Sequence, residues 1–257
     1  MLELSLFILY TTAFALYLWE RARPAHANTE TRWERRQWYA RALLINGINL
    51  VVFFVVDMGL LWCETNGYFA RGNLIDLLGL DLGLENSPVK AATIAYLIFT
   101  FVVYWWHRLR HSNQFLWRWF HQLHHSPEQI EVLTAYYIHP FDLLANLIIS
   151  NSILYLLLGV DFSVAPLYTL ITGLAGFIIH ANIHLPRWVG YFFQTPAMHR
   201  LHHKSGYHAD NYTDLVWWDM LFGTYQNPRH PVQQCGFTRH QQQDLKPLLL
   251  GRSLESR

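Results

Sequence analysis

Cysteine is almost missing from this chain: two residues in 257, Cys63 and Cys235, with no CxxC pairing. That excludes a disulfide framework and a thiolate metal site. Charge is scarce as well, 14% of residues with a net charge of +1, so no bulk attraction to nucleic acid is implied. There is no H-E-x-x-H, which removes the zinc-protease helix, and no glycine-rich loop to cradle phosphate. There is no Glu-x-x-His pair either, which removes the carboxylate-rich dimetal site of ferritin-like bundles. What is present is apolar surface, 52% of residues with 16% aromatic, arranged in blocks. The other surplus is histidine, fifteen residues, so any metal here is held by nitrogen.

The first apolar run, 2–19, is long enough to cross a bilayer. A signal peptide competes for it, since Ala25-His26-Ala27 has the A-x-A form, but no basic residue precedes the run and a retained span is the better reading. Six arginines follow within 20–41, then a second run at 42–62 containing Asn46, Asn49 and Asp57. Those polar groups either line a cavity or bond neighbouring helices, and the second is the simpler reading. Residues 63–90 form a polar connection in which Gly79 and Gly83 have a helix-dimer spacing by chance. A third run, 91–106, leads into His107. Runs at 141–158 and 164–179, joined at Gly159-Val160-Asp161, make a helical hairpin that leads into His180.

Of nineteen basic residues, all but Arg71 and Lys90 fall on one side if 20–41, 107–140 and 180–257 share a face. The positive-inside rule makes that face cytoplasmic. The expectation is an all-α, polytopic membrane bundle of four to five membrane helices, with a cytoplasmic-face helical cap. Residues 1–90 supply N-terminal helices and loops, 91–226 the catalytic unit, and 227–257 a polar tail that is mobile at its end. Aromatics crowd the stretches 113–125 and 187–203, including Trp117, Trp119, Trp188 and Phe192, as expected of segments lying along a leaflet with rings toward lipid.

The cap carries the chemistry. His107 and His111 stand at i,i+4, and His121, His124 and His125 at i,i+3,i+4. On a helix such positions share a face, so two imidazoles can grip one ion. The pattern returns as His180 and His184, then His199, His202 and His203. These ten are the candidate ligands, enough to surround two metal ions. Imidazole suits iron, zinc, copper and nickel alike. Ten nitrogens over two octahedral ions leave a position or two open, and an all-histidine dimetal site at a membrane surface points to a redox metal and oxygen chemistry on a lipid.

The motifs YWWHRLRH, WFHQLHHSPE, HPFD, HANIH, TPAMHRLHH and NYTDLVWWDMLFGTY, spread over 104–225, resemble the fatty acid hydroxylase / sterol desaturase superfamily of integral-membrane enzymes. The resemblance implies two iron ions held by these histidines and O2 as co-substrate. It also implies a lipid substrate in the bilayer and an external electron-donor protein or reductase, and it leaves hydroxylation and desaturation both open.

Two other classes compete. A divalent-metal transporter needs ligands inside the spans, and a bis-histidine haem cytochrome needs histidines facing each other from two spans. His139 either ends a loop or touches the site, as does His208; His26, His230 and His240 read as solvated. Asp142, Asp210, Asp214 and Asp219 are candidates to orient ligand imidazoles, with helix capping the plain alternative for the last two. Arg108, Arg110, Arg118 and Arg200 are candidates for lipid phosphate or an acidic donor surface.

Overall fold

The computed structural model describes residues 2–67, 73–207, 209–230, 232 and 234–254. Helices α1 (Leu2–Ala22) and α2 (Arg32–Thr65) come first, then the short α3 (Leu74–Leu77). Next are α4 (Pro88–Ser112) and α5 (Gln114–Leu116), which runs into a π-helical turn at Trp117–His121. Helix α6 (Pro140–Asn151) continues as π-helix through Ser152–Leu157, and α7 (Ala165–His180) follows, packed on α1 and α4 rather than directly along α6. Short helices α8 (Pro196–His202), α9 (Val216–Phe222), α10 (Arg239–Gln243) and α11 (Leu245–Leu249) complete the cap. No strand occurs among the described residues, only isolated bridges at Phe193–Leu215 and Lys204–Cys235.

Among the described residues, four helical segments are long and apolar enough to cross a membrane: Arg32–Thr65, Pro88–Ser112, Pro140–Leu157 and Phe162–His180. Large apolar side chains such as Leu43, Val51, Val55 and Met58 stand exposed along α2, a face suited to lipid. The second helix begins ten residues before the apolar run because Thr31 and Glu34 form a capping box. Glu34 Oε2 accepts the Thr31 N–H at 2.7 Å while Thr31 Oγ1 accepts the Glu34 N–H at 3.3 Å. The third run is likewise extended, by Ser87 and Pro88 at its start and through Ser112 at its end.

Helix α1 lies along α7, α2 along α6, and α4 against both α6 and α7. Ala91, Ala92 and Ala95 are fully buried on α4, and their small side chains let Leu154, Leu158 and Tyr168 close on them. Asn46 and Asn49 hydrogen-bond the carbonyls of Leu133, Tyr136 and Ile138, anchoring α2 to the cap. Together with Asp57 they also line a cavity, so both readings of these polar groups hold. Gly79 and Gly83 sit in turns at φ 69° and 55°, not on a helix face.

In the cap, the tail packs along its described length: Phe237 and Leu248 are buried with Trp38, Ile45, Trp117, Leu123 and Tyr137. The last three residues, the end expected to be mobile, lie outside the described residues. Gln122 pins its end by donating to the Arg252 carbonyl (2.8 Å) and accepting from the Leu254 N–H (3.2 Å). Trp117 faces inward against the tail instead of lipid, whereas Trp188, Tyr191, Phe192 and Phe193 are exposed as expected.

Candidate metal centre

Nine of the ten predicted histidines converge in two buried groups. His107, His111, His121, His125 and His202 form one, and His124, His180, His199 and His203 the other; within each, the ligand nitrogens lie within 4.8 Å of one another. Helix ends do the positioning. His107 and His111 occupy the last turns of α4, His121 closes the π turn, His180 ends α7, and His199 and His202 end α8. The two sequence copies are interlocked: the first lends His124 to the second group, and the second lends His202 to the first.

The tenth, His184, is exposed and belongs to neither group. Its i,i+4 relation to His180 fails because α7 stops at His180 and Ala181 turns extended (ψ 137°). His208 lies outside the described residues. His139 caps α6 by accepting the Phe141 N–H at 3.1 Å, and its Nε2 bonds the Leu249 carbonyl at 3.2 Å. His230 and His240 are exposed. His26 is not solvated as expected: burial, then the charge of Arg200, pushes its imidazole down to about 4.

Carbonyl oxygens fix the imidazole tautomers, since they only accept. His107 Nδ1 donates to Tyr212 O (2.6 Å), His180 Nδ1 to Gly176 O (2.7 Å) and His202 Nδ1 to Asp210 O (2.8 Å). Gln194 donates its Nε2–H to Asn211 O at 2.6 Å, which turns its Oε1 toward His199 Nδ1 at 3.0 Å. His121 Nδ1 lies 3.3 Å from Asp142 Oδ2. Every one of these contacts puts the proton on Nδ1 and leaves Nε2 a bare lone pair.

Those lone pairs then face each other. The Nε2 atoms of His107 and His121 are 2.8 Å apart, and those of His180 and His199 are 2.9 Å apart. His199–His203 and His125–His202 follow at 3.0 and 3.1 Å. In the His107–His121 and His180–His199 pairs both tautomers are fixed, and two lone pairs at that range repel unless a cation lies between them. None of the carbonyl contacts just named involves His125 or His203. A proton is a poor candidate, because burial, and after it neighbouring imidazoles or, for His121, the charge of Arg110, hold His121, His124, His125, His199 and His203 well below the usual histidine range. Metal–nitrogen bonds of about 2 Å separate adjacent ligand nitrogens by about 3 Å. The donor set therefore fits two metal ions, one against five nitrogens and the other against four.

The sequence model of the fatty acid hydroxylase family matches residues 92–224, a stretch that holds all nine converging histidines. This chain belongs to the fatty acid hydroxylase family. Over 142 residues it is 34% identical to the ornithine lipid hydroxylase OlsE of Rhizobium tropici, a match covering 54% of this chain and 42% of that protein. The matched stretch is thus less than half of that relative's length. No solved structure matches the chain.

Around the histidine cluster, support comes from groups with no sequence signal of their own: the carbonyls of Tyr212 and Gly176, and the side chain of Gln194. Asp210 (φ 62°) and Asn211 (φ 52°) take the left-handed conformation that Asp and Asn tolerate best. Asn211 holds that turn by donating to Met198 O and Gln226 O, so the carbonyls of Asp210 and Tyr212 reach His202 and His107. Of the four aspartates, Asp142 acts on a ligand through its side chain and Asp210 through its backbone. Asp219 instead accepts from the N–H groups of Tyr212 (2.9 Å) and Thr213 (3.3 Å), shaping the loop. Asp214 accepts from Tyr96 OH at 2.6 Å, and its carbonyl accepts the Gln194 N–H at 2.7 Å.

Arg110 is buried and ion-paired to Asp142, and Arg200 is buried with its Nε on Val232 O at 3.1 Å. Neither is a surface ligand for phosphate. Arg108 bonds Tyr104 OH (3.2 Å) and Arg118 bonds Gln114 (2.7 Å).

A cavity of about 1140 Å³ runs from the centre between α1, α2, α6 and α7. Its walls are mostly apolar, with Leu9, Leu50, Phe53 and Leu147 among them, and its inner end meets His107, His121, His124, His180 and His199. The metal transporter reading fails on placement: the histidines cluster at the helix ends and in the cap, not along a path across the spans.

Proposed function

We propose that this protein is a membrane-bound, O2-dependent di-iron oxygenase that hydroxylates a C–H bond of a lipid. The single observation carrying the reading is the junction of nine inward-facing histidines with an apolar cavity opening between membrane helices. Two irons held there would supply O2 activation, which zinc alone does not offer. Hydroxylation is favoured over desaturation by the family description and the relative's name. The relative's name also puts ornithine lipids among the substrates to assay.

The chain's own residues have defined tasks. The Nδ1–H bonds to Tyr212, Gly176, Asp210, Gln194 and Asp142 orient the imidazoles and raise their basicity. The packed tail and Trp117 keep bulk water from the cap side. The cavity walls align a hydrocarbon chain with the histidine cluster. Inserting one oxygen atom and reducing the other to water takes two electrons and two protons. An external electron-donor protein or reductase would supply those electrons. The basic-residue asymmetry supports a cytoplasmic site, where such a donor is reached.

The test is incubation of membranes containing the protein with isotopically labelled O2, a competent reductant and a lipid pool. One labelled oxygen atom in a lipid product is expected. Absence of any labelled product in reduced, iron-replete membranes would end the oxygenase reading.

A further inference from the structure

Between the end of α1, the start of α2 and the segment before Val132 lies a second, polar pocket of about 180 Å³, lined by none of the nine converging histidines. Glu20 lines it and is only 4% exposed. Its Oε2 accepts the backbone N–H groups of Val132 and Asn182, both at 3.0 Å. Its Oε1 is equally buried and has no hydrogen-bond partner. A buried carboxylate oxygen without a donor is costly, and a site that retains one is built for a donor from outside. Glu131, on the same pocket, makes no such demand: it accepts from Trp38 Nε1 at 2.6 Å and pairs with Arg35.

The same pocket also holds a cationic group, Arg21. Arg21 is one-third exposed and reaches Glu131 only at 3.5 Å. Its guanidinium lies over the rings of Tyr17 and Tyr39, at 5.1 and 5.3 Å. Those two tyrosines line the long apolar cavity, as does Val132. The polar pocket and the lipid-sized cavity therefore adjoin across Arg21, Tyr17 and Tyr39, at the arginine-rich end of the bundle.

We propose that this pocket is a headgroup subsite, selecting lipids whose headgroup carries a protonated amine beside an anionic group. The amine would meet Glu20 Oε1, and the anion would meet Arg21. The proposal rests on the lipid reading of the cavity, and it narrows the substrate class: an uncharged sterol brings no cationic donor to Glu20.

The experiment uses the full chain in nanodiscs holding equal amounts of phosphatidylethanolamine and phosphatidylglycerol with the same acyl chains. Native mass spectrometry then counts the lipids retained. Retention of the amine-bearing lipid over the other by about tenfold is expected from a charge-assisted bond. Glu20→Gln keeps an acceptor for Val132 and Asn182 but turns the free oxygen into an amide donor, so the ratio should fall to near one. Arg21→Gln should lower retention of both lipids and serves as the second variant if Glu20→Gln does not fold. Equal retention by the wild type, or enrichment that survives Glu20→Gln, overturns the proposal. So does displacement of the lipid by soluble phosphoethanolamine at matching concentration, which would make the ligand a free amine. Labelled-oxygen incorporation is scored separately: its loss with headgroup selectivity intact counts against the oxygenase reading alone.

Discussion

His125 and His203 stack face to face, ring centroids 4.1 Å apart and planes 12° from parallel, although each belongs to a different group of converging nitrogens. That contact is the seam between the two halves of the centre. It ties the halves mechanically, and the exchange of His124 and His202 across it ties them chemically. Neither half is complete with only its own sequence copy.

Cross-lending predicts how ligand substitutions behave. His202→Ala should lower metal content from about two to about one per chain and remove most activity, because one metal loses a nitrogen and its tautomer-fixing bond to Asp210. His124→Ala should do the same from the other side. His184→Ala should retain both metals and stay within about twofold of wild-type activity, as expected of an exposed side chain. Elemental analysis of the purified variants reads all three. Metal loss in His184→Ala equal to that in His202→Ala would refute the assignment.

Asp142 ties a ligand to a charge. It pairs with buried Arg110 and faces His121 Nδ1 at 3.3 Å. Asp142→Leu leaves the guanidinium buried without its counter-charge, a change that costs about 3–5 kcal/mol. The thermal midpoint in detergent should drop by several degrees, with metal lost at the His121 group. The double variant Asp142→Leu, Arg110→Met should recover much of the midpoint and none of the ligand orientation. An unshifted midpoint in the single variant would remove the buried pair from this account.

Acid should strip the metal, and the sign is fixed by burial. His121, His124, His125, His199 and His203 are all held below the ordinary imidazole value, so the folded state favours their neutral form. Stability from a lowered pKa is present above the unfolded value of about 6.5 and is lost as pH falls toward the folded one. Protons also compete directly for ligand nitrogens. Metal content followed against pH should hold near neutrality and decline below about pH 6. Metal retained undiminished to about pH 4 would argue against histidine ligation.

The tail carries a stability prediction of its own. Leu248 is fully buried against Trp38, Trp117 and Tyr137. Leu248→Ala should cost about 2–5 kcal/mol, as core truncations of this size do. Because Trp117 edges both His111 and His125, at 5.2 and 5.1 Å between ring centroids, the variant should also release metal faster into a chelator. Wild-type release kinetics would mean that the tail does not guard the centre.

The helical class, the apolar spans and nine of the converging histidines were legible in the sequence because each rests on local periodicity. A run of apolar residues and an i,i+4 pair say what they are without reference to the rest of the chain. His184 was misread for the same reason: the spacing is helical, but α7 ends four residues too soon. How the nitrogens divide was not legible at all. Which group receives His124 or His202 depends on how α8 docks beside the turn at 117–125, a matter of packing between segments about eighty residues apart. Trp117 was misplaced because an aromatic next to a membrane helix reads as a lipid anchor until the hydrophobic cluster joining it to the tail is seen. The Asp210-Asn211 pair is a turn signal, but its role in aiming the carbonyls of Asp210 and Tyr212 at ligand imidazoles depends on the fold.

The account stands most directly on the number and identity of metals in the purified chain, read by elemental analysis together with iron Mössbauer spectroscopy. It predicts about two irons per chain in nitrogen-rich environments, falling to about one in His202→Ala. A wild-type protein that folds, keeps its midpoint and holds no iron, or a single haem, would contradict it.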